Sequence, residues 1–532
     1  MRRSTIHSVT LVGLLFAVTI SAAPEHTGTG QLRVPADGPL PDGGEAVLFA
    51  FDDHSIPNRT NLFLTLQQAE KHPDNPVVRR GAPGTPDDAR IQFHGTVLRV
   101  NGRFRMWYLA MDEEGLRNYG SSTAYDGYAR ICYAESDDGV RWTKPVLGIV
   151  DYRGSKENNV IGLEGVAAWP SVRYEPEEPN PEKRYKMIFK ATGGKLKGLL
   201  DRYPGFDYFV SPLCAYSADG LRWQLAEHNP LLRANMEGAN FYRFNGSYFL
   251  QGHIPAQHSP PVGMLFNGEP TGRVLFTYQS PDLVHWSAAP ALSLMRHGYR
   301  SAPQGTVEEA HTSCGAWARG NIVLSAFLLW HGSVERDSRW MDVGFMVSND
   351  GIHFREPIPD FRLISRGPKG SWEGGSLWGV SFLNVEDRTL MYYSGLTGGG
   401  STALGRGDIG LATLPRDRFG YLSLKETREP GRFESCLLDP GKAVKVFANV
   451  DGLDRDATVR VGFLDERFQP VAGYGPADSL PLTVSGLRRE VAWKRGNIVR
   501  GLAGKRLRLQ VDLAGAAGKT PRLYALYLEP AR

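Results

Sequence analysis

The sequence predicts an all-β chain, a five-bladed β-propeller followed by a C-terminal β-sandwich. Three observations predict it. A short phrase recurs along the chain, a pair of apolar strands precedes each copy, and the texture of the sequence changes near Tyr421. Self-similarity at a long period is the signature of a repeat architecture.

The phrase is Tyr133-Ala-Glu-Ser-Asp-Asp-Gly-Val-Arg-Trp142. It returns as Ala215-Tyr-Ser-Ala-Asp-Gly-Leu-Arg-Trp223, Tyr278-Gln-Ser-Pro-Asp-Leu-Val-His-Trp286 and Met346-Val-Ser-Asn-Asp-Gly-Ile-His-Phe354. A worn fifth copy is Ala412-Thr-Leu-Pro-Arg-Asp-Arg-Phe419. Aligned on Asp138, Asp219, Asp282, Asp350 and Asp417, the copies stand 81, 63, 68 and 67 residues apart. Each reads as an apolar strand, a tight Ser-x-Asp-Gly turn and a strand with an aromatic. The Asp accepts from backbone N–H groups just ahead, and the Gly supplies a positive φ. The aromatic returns to the core. One such Asp per repeat is structural chemistry, since catalysis needs no copy in every blade.

The preceding strand pair in the first repeat is Gly95–Val100 and Arg103–Leu109, joined by Asn101-Gly102. Asn-Gly between two apolar runs is the strongest short hairpin signal. The pair recurs from Ser171, Asn240, Gly315 and Val380. Two hairpins per repeat, five times over, make a propeller of four-stranded blades.

Met1-Arg-Arg, an apolar run from Val9 to Ile20 and Ser21-Ala-Ala23 read as a secretory signal peptide over residues 1–23. The run is too short for a membrane anchor. The expected location is therefore secreted or periplasmic. The propeller is expected over 24–420 and the sandwich over 421–532. There the strands are short and alternating, as in Ala443–Val450, Ala457–Phe463, Arg506–Leu513 and Leu523–Leu528. The 532-residue chain carries a net charge of only +4 with both signs mixed, which argues against nucleic acid as a partner. Cys132 and Cys214 sit just ahead of the phrase in different blades and read as small core residues. Cys314 and Cys436 have no metal-ligand spacing, and no cofactor is expected.

The first strand of each propeller blade lines the central channel, so residues near its start share one funnel. Here those are His94, Trp169, Glu237, Glu309, His311, Glu373 and Trp378, with Asp88 upstream and Arg117 at the rim. Carboxylates, imidazoles and indoles converging on a concave site suit a sugar. Glycoside cleavage takes two carboxyl groups across the scissile bond. Each candidate also has a structural reading. Asp88 lies in a Pro/Gly/Asp-rich loop, where Asp serves turns. Glu309 and His311 sit in a stretch that reads equally as a solvated turn. Glu373 is ringed by glycines, and His94 reads equally as a satisfied core histidine.

The chain resembles the glycoside hydrolase family 32 and 43 superfamily, and more closely a group of secreted bacterial proteins related to family 32. The stretches that carry the resemblance are Leu48–His54, Glu70–Val77, Gly95-Thr-Val, Phe104–Tyr108, Lys183–Met187 and Gly370–Glu373. It implies a five-bladed propeller and a carbohydrate substrate. The family 32 motifs are an Asp nucleophile in Asn-Asp-Pro-Asn, an Arg-Asp-Pro and a Glu-Cys acid. This chain has Phe93-His-Gly-Thr96 and Trp169-Pro-Ser171 at the first two places, and only Glu237 falls at the third. Fold transfers more safely than mechanism, and invertase-type chemistry is not supported. The expectation is a secreted glycoside hydrolase acting on a polysaccharide or its oligosaccharides. Glu237 would be its acid, Glu373 or Glu309 the partner carboxylate, and Asp88 an outside candidate. His94, Trp169, His311, Trp378 and Arg117 would bind substrate. The alternatives are a non-catalytic glycan-binding protein and a phosphorylase using Arg296, His297, Arg300 and His311.

Overall fold

A computed structural model describes residues 32–33, 45–118, 129–163, 167–191, 212–232, 236–255, 273–296, 309–331, 340–398, 405–440, 443–501, 505–516 and 518–531. The expected signal peptide lies outside them. The described chain is nearly all β, with one short α-helix, Glu113–Asn118. Among the described residues no helix is long and apolar enough to cross a membrane.

Five antiparallel meanders follow one another. Their inner strands are Arg90–Val100, Ala167–Tyr174, Glu237–Phe244, Glu309–Arg319 and Ser376–Val385. Each inner strand pairs with a second strand, and that with a third. In the first and third meanders the inner hairpin turns on Asn101-Gly102 and Asn245-Gly246, all four residues at positive φ. That is the two-residue geometry Asn-Gly selects. The outer strand of the fifth meander comes from far upstream, where Glu70–Lys71 pairs with Ala412 and Thr413. Each inner strand packs beside the next, and the fifth packs beside the first.

The repeated phrase forms the turn after each third strand. Asp138 Oδ1 accepts from the N–H groups of Val140 and Arg141 at 2.8 and 2.7 Å, while Ser136 Oγ accepts from that of Gly139. Asp219, Asp282 and Asp350 repeat the pattern within 0.1 Å or so. Gly139, Gly220 and Gly351 hold the positive φ, and Leu283 takes the same conformation in the third copy.

The fifth copy differs from the sequence alignment by one residue. Ser136 pairs with Phe104, one residue into its strand, and Leu414 holds the same place opposite Thr389. Asp417, at φ 61°, therefore stands in the glycine slot rather than the Asp slot. It is fully buried and does other work. It accepts from Arg319 Nη2 (2.7 Å), Asn384 Nδ2 (2.9 Å) and Tyr527 Oη (3.1 Å). Arg319 also reaches Glu45, which binds Arg488.

That network joins the meanders to two further sheets that share one apolar core, with Leu48, Val446 and Leu526 from one and Phe433, Val461 and Leu509 from the other. The expected boundary gave these sheets only residues after 420. The strands Ala46–Phe49 and Leu62–Leu66 pair into one of them, and Asn58–Thr60 into the other. Local pattern cannot reveal a partner some 400 residues away. Cys132 and Cys214 are free and buried in the core. Burial pushes the Cys214 thiol up to about 12. The side chain of Cys314 lies outside the described residues.

Candidate functional site

All five inner strands slip register against their second strands at one level. The slips fall between Gln92 and Thr96, Ala168 and Ser171, Glu237 and Asn240, Thr312 and Ala316, and Trp378 and Ser381. A bulge bends a strand and re-aims its side chains, and bulges gather beside active sites. The residue types fit the geometry. Pro170 lacks the N–H that a regular ladder would use. Gly238 and Gly379 take positive φ, and a Cβ on Gly379 would collide with the Phe93 carbonyl. Trp169 stands at φ 58°, an uncommon and strained conformation for a bulky residue.

Just past the slips, side chains staple neighbouring inner strands together. Thr96 Oγ1 accepts from the Val172 N–H (3.0 Å), Ser171 Oγ from Phe241 (3.1 Å), Asn240 Oδ1 from Ala316 (3.0 Å) and Ser381 Oγ from Val97 (3.0 Å). The equivalent residue of the fourth strand is Gly315, which has no side chain to offer. A cavity of about 170 Å³ lies there, lined by Thr96, Ser171, Gly315, Trp317, Ser381 and Phe382 among others.

On the other side of the slips, toward the strand starts, imidazoles and indoles meet. The His94 ring lies 5.0 Å from that of Trp169 and 4.9 Å from that of Trp378. Lys190 Nζ sits 4.0 Å over the Trp169 ring. Trp378 shares an apolar cluster with Trp330, whose ring is 4.1 Å from His311, and His311 is 4.4 Å from His253. All of these side chains are buried. Several buried polar atoms here have no hydrogen-bond partner, namely both amide atoms of Gln92, Trp378 Nε1, Ser376 Oγ and Ser394 Oγ. Buried polar groups are paired in the great majority of cases, so such a group needs a reason.

The sequence candidates divide. His94, Trp169, His311 and Trp378 come together as one chain of rings. They lie within the first five residues of strands that begin three to six residues earlier than the sequence pattern puts them. The alternating pattern reads only from the slip onward, because extra residues there interrupt the ladder, one in the second, third and fifth inner strands and two in the first and fourth. Glu237 pairs with His253 and Glu309 with Trp330 in the ladders, at this end of their strands. The side chains of Glu237 and Glu309 lie outside the described residues. Glu373 is engaged by other partners. Its Oε1 is 2.6 Å from Lys71 Nζ and its Oε2 accepts from Tyr393 Oη at 2.8 Å. It thereby holds the upstream strand that completes the fifth meander. Burial and the Glu373 charge push the Tyr393 hydroxyl well up. Asp88 accepts from the N–H groups of Gly84 and Glu113, as a turn residue does. Arg117 is exposed on the short helix. Arg296 is ion-paired with Asp360 and Glu356, while His297 and Arg300 lie outside the described residues.

Sequence reasoning missed Lys190, His253, Trp330 and Ser394. All four close second strands, which run back toward the slips. A search of strand ends as well as strand starts finds them. Among the described residues no group of three or more His, Cys, Asp or Glu is placed to hold a metal.

No protein-family model and no curated protein sequence matches the chain. Solved structures of glycoside hydrolases resemble it at low identity. A glycosyl hydrolase from Bacteroides ovatus is 15% identical with a TM-score of 0.42, over 66% of this chain and 95% of that one. A family 43 arabinoxylan arabinofuranohydrolase from Bacillus subtilis, in complex with cellotetraose, is 13% identical with a TM-score of 0.37, over 87% and 99%. A family 32 β-fructofuranosidase from Bombyx mori is 11% identical with a TM-score of 0.36, over 86% and 95%.

Proposed function

We propose that the chain is a secreted glycoside hydrolase acting on a polysaccharide or its oligosaccharides. In this reading the five meanders are the blades of a β-propeller, the two shared-core sheets are a β-sandwich, and residues 1–23 direct export. The observation that carries it is the convergence of His94, Trp169, Trp378, Trp330 and His311 with unpaired polar atoms where the inner strands slip. Indole and imidazole faces suit the apolar face of a sugar ring, and unpaired donors and acceptors suit its hydroxyls. Glu237 is the general acid and Glu309 the partner carboxylate, since Glu373 and Asp88 are engaged in ion-pair and turn contacts.

A second reading is a non-catalytic glycan-binding protein. It is favoured by that same engagement of two of the four carboxylates the sequence puts forward. Reducing-sugar release from arabinoxylan, pectin and laminarin separates the two readings, with Glu237→Gln and Glu309→Gln beside the wild type. Release that is lost in either variant supports the hydrolase. Retention of the same glycans on an affinity gel without any release supports the binder. Neither release nor retention removes both.

A further inference from the structure

Gln92 is fully buried, yet neither its amide nitrogen nor its amide oxygen has a hydrogen-bond partner. It is the last laddered residue before the slip in the first inner strand, opposite Leu109. The same rank in the third strand belongs to Glu237, opposite His253, and in the fifth to Trp378, opposite Ser394. The Trp378 ring touches His94, two residues beyond Gln92. Register alone therefore sets Gln92 level with the residues proposed above to meet the sugar.

An amide shut away from water with both ends unpaired destabilises the fold. It costs the full desolvation of a donor and an acceptor, and a nonpolar side chain of the same length would not. Its neighbours do not account for it. Arg90, two residues earlier, bonds the Gly405 carbonyl, and Thr96 beyond the slip accepts from Val172.

We infer that Gln92 is a ligand-binding residue of this site. Its amide meets a hydroxyl of the bound saccharide and gives up stability in the free protein for that contact. Strained or unsatisfied groups kept at the expense of stability are a recurrent feature of binding sites. The inference rests on the carbohydrate reading of the site, and its test separates the two.

Gln92→Met and Gln92→Leu are made in the full chain. Thermal melting is measured without ligand, and retention on arabinoxylan, pectin and laminarin gels is measured beside wild type. At least one variant is expected to melt at or above wild type and to bind the retained glycan about tenfold more weakly, the loss that follows when one good hydrogen bond disappears. Melting of both variants below wild type overturns the inference, because Gln92 then has a partner in the free protein. Undiminished glycan binding by a folded variant also overturns it and leaves the carbohydrate reading standing. If wild type retains and cleaves none of the three glycans, the carbohydrate reading falls and the inference falls with it.

Discussion

The two ends of the inner meanders obey different rules. At the turn end three copies of Ser-x-Asp-Gly and one of Ser-x-Asp-Leu make the same hydrogen bonds, to the same backbone groups, at nearly the same distances. At the slip end the five strands present five different residues at one rank, Gln92, Ala168, Glu237, Thr312 and Trp378. Repetition marks the places where folding sets the residue. Divergence marks the places that folding leaves free, and there polar atoms stand unpaired.

The largest expected break in this comparison comes from the fifth repeat. Asp417→Gly restores the glycine that the turn geometry prefers, but it takes from the buried Arg319 the nearer of its two carboxylate partners and leaves only Glu45. Removing one partner of a buried ion pair costs about 3–5 kcal/mol. Denaturant unfolding should show a loss of that order. A neutral or stabilising result would mean that repeat geometry outweighs the network.

Glu373 comes next. If it is a clamp on the upstream strand, Glu373→Gln and Lys71→Met should each lose about 1–3 kcal/mol, the range for hydrogen bonds to charged groups. The double variant should lose little more than either one. If Glu373→Gln instead keeps full stability and loses turnover, the residue belongs to the site.

At the turn end, Ser348→Ala removes a hydroxyl that accepts from Gly351 and donates to Asp350. A loss of about 1 kcal/mol is expected. The turn carboxylates also set a pH dependence. Burial pushes Asp350 up, but His353 and the N–H groups of His353 and Ile352 hold it below the usual range. Asp138 and Asp219 behave alike, each lowered by two backbone N–H groups against its burial. A folded pKa below the unfolded one contributes stability above about pH 4 that is lost as pH falls through the folded value. The melting temperature should therefore drop on acidification below that point. It should drop less steeply in Asp350→Asn.

The smallest effect is expected at the slip end. Ser394→Ala deletes a buried hydroxyl with no partner, so stability should hold or rise slightly. A loss as large as that of Ser348→Ala would erase the distinction between the two ends.

Much of this was legible in the residues. The phrase located the turns, and the hairpins located the paired strands. His94, Trp169, His311 and Trp378 are legible in the sequence as site candidates, and their rings meet in one chain. The strand starts were missed, because a register slip hides the alternating pattern on its far side. The contact of Glu373 with Lys71 was not legible, because the two lie 302 residues apart.

The sequence by itself determined the repeated unit, its turn chemistry and the all-β class, since these depend on neighbours within a few residues. Tertiary structure alone decided that Asp417 serves a buried network rather than a turn, and that residues 46–66 pair with strands near the C-terminus. It also decided that Glu373 meets Lys71 and Tyr393. Those outcomes are contacts between distant segments, and the spacing of residues along a chain carries no signal of which distant segment will pack against which.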